Sequence, residues 1–159
     1  MSNEDVTVQT ENLLTSLPTL QPMLEEHYRE LALFQDSVPL AINWPHYYSL
    51  VASRQLLFAT ARNGEGKLLG YYIATTTQCP HYFTTLRAQH DIMRVLPEAR
   101  GSGIGLKLML HVEQELRAAG IRLWYHGRKA VTETAPAMDK LAAKLGFRPA
   151  DLYFAKLLD

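Results

Sequence analysis

Apolar and polar positions along this chain follow two distinct periods, and the switches between them mark out its elements. Residues 1–12 are polar apart from a brief alternation at Val6 and Val8, so they read as a frayed tail or a short edge strand. From Leu13 the pattern turns helical. Leu24, Tyr28 and Leu31 recur at steps of three and four, which predicts a first helix running to about residue 31. Residues 36–46 hold Pro39, Trp44 and Pro45 and predict a loop, because proline lacks an amide donor and biases its predecessor toward extended geometry. A short second helix is expected over 47–53.

Residues 55–62 then read as a buried strand, and Asn63-Gly64-Glu65-Gly66 as a turn that folds it back on a strand over 67–77. Cys79-Pro80-His81-Tyr82 reads as a connection. Residues 88–96 predict a third strand, with Gln89, Asp91, Met93 and Val95 on one face and His90, Ile92, Arg94 and Leu96 on the other. The clearest helix spans 103–119, where Ile104, Leu108, Val112 and Leu116 form a stripe that Gly120 ends. A strand over 121–126 completes a βαβ unit, whose two strands should be parallel through a right-handed crossover. A last helix over 136–145, closed by Gly146, and a terminal strand over 152–158 finish the chain. The expected fold class is α/β with a mixed sheet, built as a single domain over 1–159.

Composition narrows the function. With 159 residues, 47% hydrophobic and 20% charged, the chain suits one ordinary core. Sixteen basic residues balance sixteen acidic ones, so no global field draws it to nucleic acid or anionic lipid. No apolar run reaches the ~18 to 20 residues of a membrane span, and the start is polar and acidic. The one cysteine, Cys79, can form neither an intrachain disulfide nor a thiolate metal cluster, so no metal is expected and a cytoplasmic location fits. As a nucleophile Cys79 has no histidine partner placed by spacing, and a structural role is the simpler reading.

The chemistry concentrates at Val95-Leu96-Pro97-Glu98-Ala99-Arg100-Gly101-Ser102-Gly103-Ile104-Gly105, where a strand leads into the clearest helix. Three glycines at alternate positions let backbone amides turn inward just where a helix dipole begins, and Arg100 adds a charge: an anion site. The plain alternative is a turn whose glycines only relieve crowding. A Walker loop is excluded because Lys107 stands between Leu106 and Leu108 rather than in Gly-Lys-Ser/Thr. A dinucleotide fingerprint is excluded because Leu106 replaces its third glycine and no acid stands near Leu123.

The segment resembles the acyl-CoA motif of the GNAT (GCN5-related N-acetyltransferase) superfamily, Val-x-Pro-x-x-Arg-Gly-x-Gly-Ile-Gly, met at Val95, Pro97, Arg100, Gly101, Gly103, Ile104 and Gly105. The order of elements from about residue 13 to 158 is similar to that fold as well. Glu26-His27-Tyr28-Arg29-Glu30 and the 82–97 region are also similar to small acetyltransferase-like proteins encoded by bacteriophages. The resemblance implies a mainly antiparallel sheet with a central, splayed parallel pair, flanked by about four helices. It implies acetyl-CoA as acyl donor, an amine as acceptor and no metal, and it is compatible with a homodimer. It places the coenzyme's diphosphate on the amides around Gly101, Ser102, Gly103, Ile104 and Gly105 with Arg100 at its edge, and the pantetheine along Met93 and Val95.

The reaction so implied is direct attack of an amine on the thioester, needing a base and a proton for the leaving thiolate. Asp91 is the first candidate base, four residues before Val95 on the expected same face; the alternative is a carboxylate paired with a cation. Glu26 and His27 on the first helix are second candidates, with solvated surface as the alternative reading of Glu26. Trp44, Tyr47 and Tyr48 are candidates for the acceptor wall or for core packing. Many relatives carry Asn and then Tyr before the last Lys-x-Gly-Phe, but Ala135 and Ala142 stand there, beside Lys144-Leu145-Gly146-Phe147. The usual tyrosine acid is therefore missing, and Tyr125, His126, Tyr153 or water are its replacements. Two functions follow: an N-acetyltransferase, or a GNAT-like protein that binds CoA and has lost turnover.

Overall fold

A computed structural model describes residues 5–130 and 132–158. Thr7–Thr10 form an edge strand, β1. Helix α1 (Leu13–Leu31) starts where Asn12 accepts the Leu14 amide at 2.9 Å, satisfying one of the donors a helix start leaves open. Its buried face is Leu13, Ser16, Leu20, Leu24 and His27, at steps of three and four. Helix α2 (Trp44–Ala52) begins three residues earlier than the prolines suggest. Asn43 caps it through the His46 amide at 3.1 Å, and Pro45 sits in the first turn, where a missing amide costs nothing.

Strands β2 (Leu56–Arg62), β3 (Leu68–Cys79) and β4 (Tyr82–Val95) form an antiparallel meander, and β5 (Leu123–Tyr125) adds to β4 in parallel, giving the order β1-β2-β3-β4-β5. The β3–β4 hairpin is longer than the sequence suggests. The expected connection at 79–82 shrinks to its tip, and 82–87 pairs with 77–79 although several of its side chains are exposed. Helix α3 (Ile104–Ala118) is the crossover between β4 and β5, and α4 (Ala135–Lys144) follows β5.

The alternation of each strand divides two cores. Phe58, Leu68, Tyr71 and Ile73 face α1, whereas Ala59, Leu69, Tyr72 and Ala74 face α3 through Ile104, Leu108, Met109 and Val112. Among the described residues the architecture is α/β with a mixed, mainly antiparallel sheet and four α-helices around it. Among the described residues no helix is long and apolar enough to cross a membrane.

The terminal strand expected over 152–158 does not form. Leu152, Tyr153, Phe154 and Leu158 are exposed in an irregular segment. An apolar run becomes a strand only against a partner edge. Here β5 is three residues long, and Phe147 packs edge-on against Trp124 with ring centroids 4.7 Å apart before the chain leaves the sheet.

Candidate active site

The site is made by a parallel pair that stops early. β4 and β5 pair only at Arg87 with Leu123, Ala88 with Trp124 and Gln89 with Tyr125, and then separate. Beyond that point, among the described residues, no strand pairs with the β5-facing edge of β4 from His90 to Val95. A cleft of about 770 Å³ opens there, lined by residues 90–95, by the Gly101–Gly105 turn and by α1 with Tyr47.

A bulge reorders the floor. Ile73 pairs with Ile92 and Ala74 with His90, so Asp91 is an extra residue without a partner in β3. The sequence alternation put Asp91 on the face of Met93 and Val95 and turned His90 away. The bulge reverses this: His90 shares the α3 face with Met93 and Val95, and Asp91 reaches Tyr47 on the α2 side.

At one end of the cleft the turn has the geometry of an anion seat. Gly101 and Gly103 have φ of 78° and 86°, left-handed values that a side chain would strain. Ile104 begins α3, and the Lys107 amide is the one that reaches Gly103 O, so the first-turn amides before it lack intrahelical acceptors. A Cβ on Gly105 would lie 3.5 Å from Leu141 and 3.6 Å from Met93, which shows how closely α4 and β4 flank the helix start. Ser102 donates back to Ala99 O at 2.6 Å and braces the turn, and Ile104 is buried in the core beneath it.

Arg100 is already engaged. Its Nε donates to Val95 O at 3.1 Å and its Nη2 pairs with Glu30. Buried Arg94 completes the network, donating from Nη1 to Met23 O and to Glu26 Oε2, each at 3.1 Å, with Nε 3.4 Å from Glu30 Oε2. Two guanidinium groups and two carboxylates therefore tie α1 to β4 and to the glycine turn. Glu26 serves this tie and does not line the cleft.

Asp91 does line the cleft, and Tyr47 donates to its Oδ2 at 2.5 Å. Burial first, and this bond second, push the Tyr47 hydroxyl well above the usual phenol range, so it stays a donor. Met93, Val95, Arg100, Gly101, Gly103 and Gly105 also line the cleft. Tyr153 is 81% exposed and lies outside it.

Just past the last parallel pair stands a cluster that alternation obscured. His90 and His126 have ring centroids 4.6 Å apart, His126 Nδ1 is 3.1 Å from the Tyr72 hydroxyl, and Trp124 Nε1 donates to that hydroxyl at 3.0 Å. Both histidines line the cleft, and burial lowers them to about 3 and about 4, so both are neutral at pH 7. His27 is likewise lowered to about 4 by burial and meets the Tyr71 hydroxyl at 3.0 Å, beneath the α1 wall.

A splayed parallel pair, a helix start rich in left-handed glycines and a cleft joining them define an acyltransferase-type α/β architecture. Residues 51–149 match the model of the acetyltransferase (GNAT) domain, and the chain belongs to that family. The fold is similar to that of an aminoglycoside acetyltransferase from an uncultured soil metagenomic sample, in complex with sisomicin, at a TM-score of 0.75 with 15% identity over 99% of each chain. It is also similar to a predicted acetyltransferase with acetyl-CoA from Clostridium acetobutylicum, at a TM-score of 0.71 with 12% identity over 96% of each chain. A third likeness is to the ribosomal-protein-alanine N-acetyltransferase of Brucella melitensis biovar Abortus 2308, at 0.70 with 18% identity over 98% of this chain and 99% of that one. A comparison with curated proteins finds no match.

Proposed function

We propose that the protein is an N-acetyltransferase that moves acetyl from acetyl-CoA to a primary amine by direct attack. The observation that carries this reading is a single cleft in which the unpaired β4 edge runs from the helix-start amides at Gly101–Gly105 to the carboxylate of Asp91. The diphosphate would sit on those amides with Arg100 at its edge, and the pantetheine along Met93 and Val95. The amine lone pair forms the N–C bond, Asp91 takes the amine's proton, and the C–S bond breaks with its electron pair on sulfur. A thiolate with a pKa near ~8.5 needs little protonation to leave, which fits alanines at 135 and 142 and a Tyr153 outside the cleft.

The acceptor half is walled by Tyr28, Leu31, Leu40, Ile42 and Tyr47 around the carboxylate of Asp91, which favours an amine carried on a partly apolar body. The similar structures act on aminoglycosides and on a protein alanine, and either a small molecule or a protein amino group fits this wall. The neutral charge balance disfavours nucleic acid, and we assign the protein to the cytoplasm. The loss of the usual Asn and Tyr at Ala135 and Ala142 supports a second reading, a CoA-binding protein without turnover. Thiol release from acetyl-CoA across a panel of amines, together with calorimetry of CoA, separates them. Release with any amine supports transfer, CoA binding without release selects the second reading, and no CoA binding refutes both.

A further inference from the structure

A buried pair on the α1 side of the cleft fixes where one proton sits. Tyr71 is fully buried, and among the described residues its hydroxyl has a single hydrogen-bond partner, His27 Nδ1 at 3.0 Å. Burial raises this phenol well above its usual range, so it keeps its proton, and Nδ1 is the acceptor that proton finds. With a proton on Nδ1 instead, the phenolic O–H would be left unpaired in the core. His27 is neutral at pH 7, because burial first and the Arg94 charge second lower it to about 4. A neutral imidazole that accepts at Nδ1 carries its own proton on Nε2. That Nε2–H has no partner among the described residues. The Nε2 atoms of His90 and His126 are shut off from solvent, whereas that of His27 is not, so the 6% of His27 left exposed on the cleft wall includes a free donor. Leu24 and Leu31, a turn away on either side along α1, line the cleft with it, and the guanidinium groups of Arg94 and Arg100 are already engaged by Glu26 and Glu30.

We propose that His27 is a specificity residue of the acceptor pocket, whose Nε2–H, held in that tautomer by Tyr71, takes a carbonyl or hydroxyl oxygen on the body of the acceptor amine. The inference rests on the acetyltransferase reading above and narrows its acceptor to an amine that carries such an oxygen. A nitrogen that bears its proton has no lone pair with which to accept another, so His27 reads the acceptor and leaves its deprotonation to Asp91. The two residues share one side of β4: Tyr71 belongs to the apolar cluster against which Tyr47, the partner of Asp91, and Ile92 pack. Discrimination follows from the cost of an unmade bond. An amine with only carbon at this place displaces water from Nε2–H and returns no hydrogen bond, whereas one with oxygen there restores it.

Nitrogen NMR on the full protein labelled in histidine tests the donor first. At pH 7 His27 must be the neutral Nε2–H tautomer, and an Nδ1–H tautomer or a charged ring overturns the assignment. Matched amines then test its role: alaninol against sec-butylamine, aminopentanol against hexylamine, and alaninamide against its all-carbon isostere, each with saturating acetyl-CoA. In the wild type kcat/KM should favour the oxygen-bearing amine by about 30-fold in at least one pair, and the pair that responds tells hydroxyl from carbonyl. His27→Leu combined with Tyr71→Phe removes the donor and leaves no hydroxyl unpaired. There the preference should fall to about threefold or less, through KM for the amine and not for acetyl-CoA. His27→Gln, whose amide accepts from Tyr71 through oxygen and donates to the cleft through nitrogen, should keep most of the preference. No preference in any pair, or a preference that survives the double substitution, overturns the inference and leaves acetyl transfer standing. An absence of thiol release with every amine refutes the acetyltransferase reading and the inference with it.

Discussion

The bond from Tyr47 to Asp91 sets what each can do. With Oδ2 occupied at 2.5 Å by a hydroxyl that stays protonated, Asp91 offers the cleft one oxygen in a fixed direction. Tyr47→Phe should therefore lower turnover about tenfold and Asp91→Asn about 100-fold, both with CoA affinity unchanged by calorimetry. Equal turnover in Asp91→Asn would remove it from the mechanism. At the other end of the cleft, a side chain on Gly105 meets Leu141 and Met93 at ordinary contact distance, so the fold accepts it. The carboxylate of Gly105→Glu would face the first-turn amides in competition with the diphosphate. CoA affinity should fall at least ~100-fold with the melting temperature nearly unchanged, and an unaltered calorimetric affinity would displace the diphosphate seat from this turn.

Helix α2 matters as the carrier of Tyr47. Its start depends on Asn43, so Asn43→Ala should cost about 1 kcal/mol, a fall of roughly 2–4 °C in melting temperature, and should raise KM for the amine more than for acetyl-CoA. By contrast, Tyr153→Ser with Phe154→Ser should change stability by less than about 0.5 kcal/mol and leave turnover intact, because both side chains are exposed in an irregular segment. These two elements show where sequence pattern informs and where it misleads. The α3 stripe and its glycines were legible because helix period, stop signal and loop chemistry agree there. Pro45 reads as a breaker because a single sequence does not distinguish a helix interior from a first turn. Leu152 to Leu158 read as a strand because a run of apolar residues around Lys156 is visible in the chain, whereas the partner edge it needs is not. The His90–His126 cluster was hidden for a related reason: alternation counted through Asp91 puts His90 on the wrong face, and nothing local to the sequence announces the extra residue.

Across the whole molecule, three buried imidazoles make stability depend on pH in a defined window. His27 and His126 are held at about 4 and His90 at about 3, all by burial, below an ordinary value of 6.5. Unfolding exposes them, so between pH 6.5 and about 4 the unfolded chain binds more protons than the native one. Stability is then complete above pH 6.5 and declines as pH falls through that window, by on the order of 3 kcal/mol for each histidine. Glu11, held low chiefly by Arg62, adds its own loss only at lower pH. Urea denaturation at pH 7.5, 6 and 5 should show the decline, His27→Gln should remove about a third of it, and a constant stability over that range would contradict it. The bulge has a last implication. On either side of Asp91 the pairings run on undisturbed, with His90 opposite Ala74 and Ile92 opposite Ile73, so every neighbour would keep its face if Asp91 were absent. The acid is a graft on a strand that closes without it. Homologues are therefore expected to differ here by the gain or loss of one residue, changing their chemistry while leaving both cores as they are.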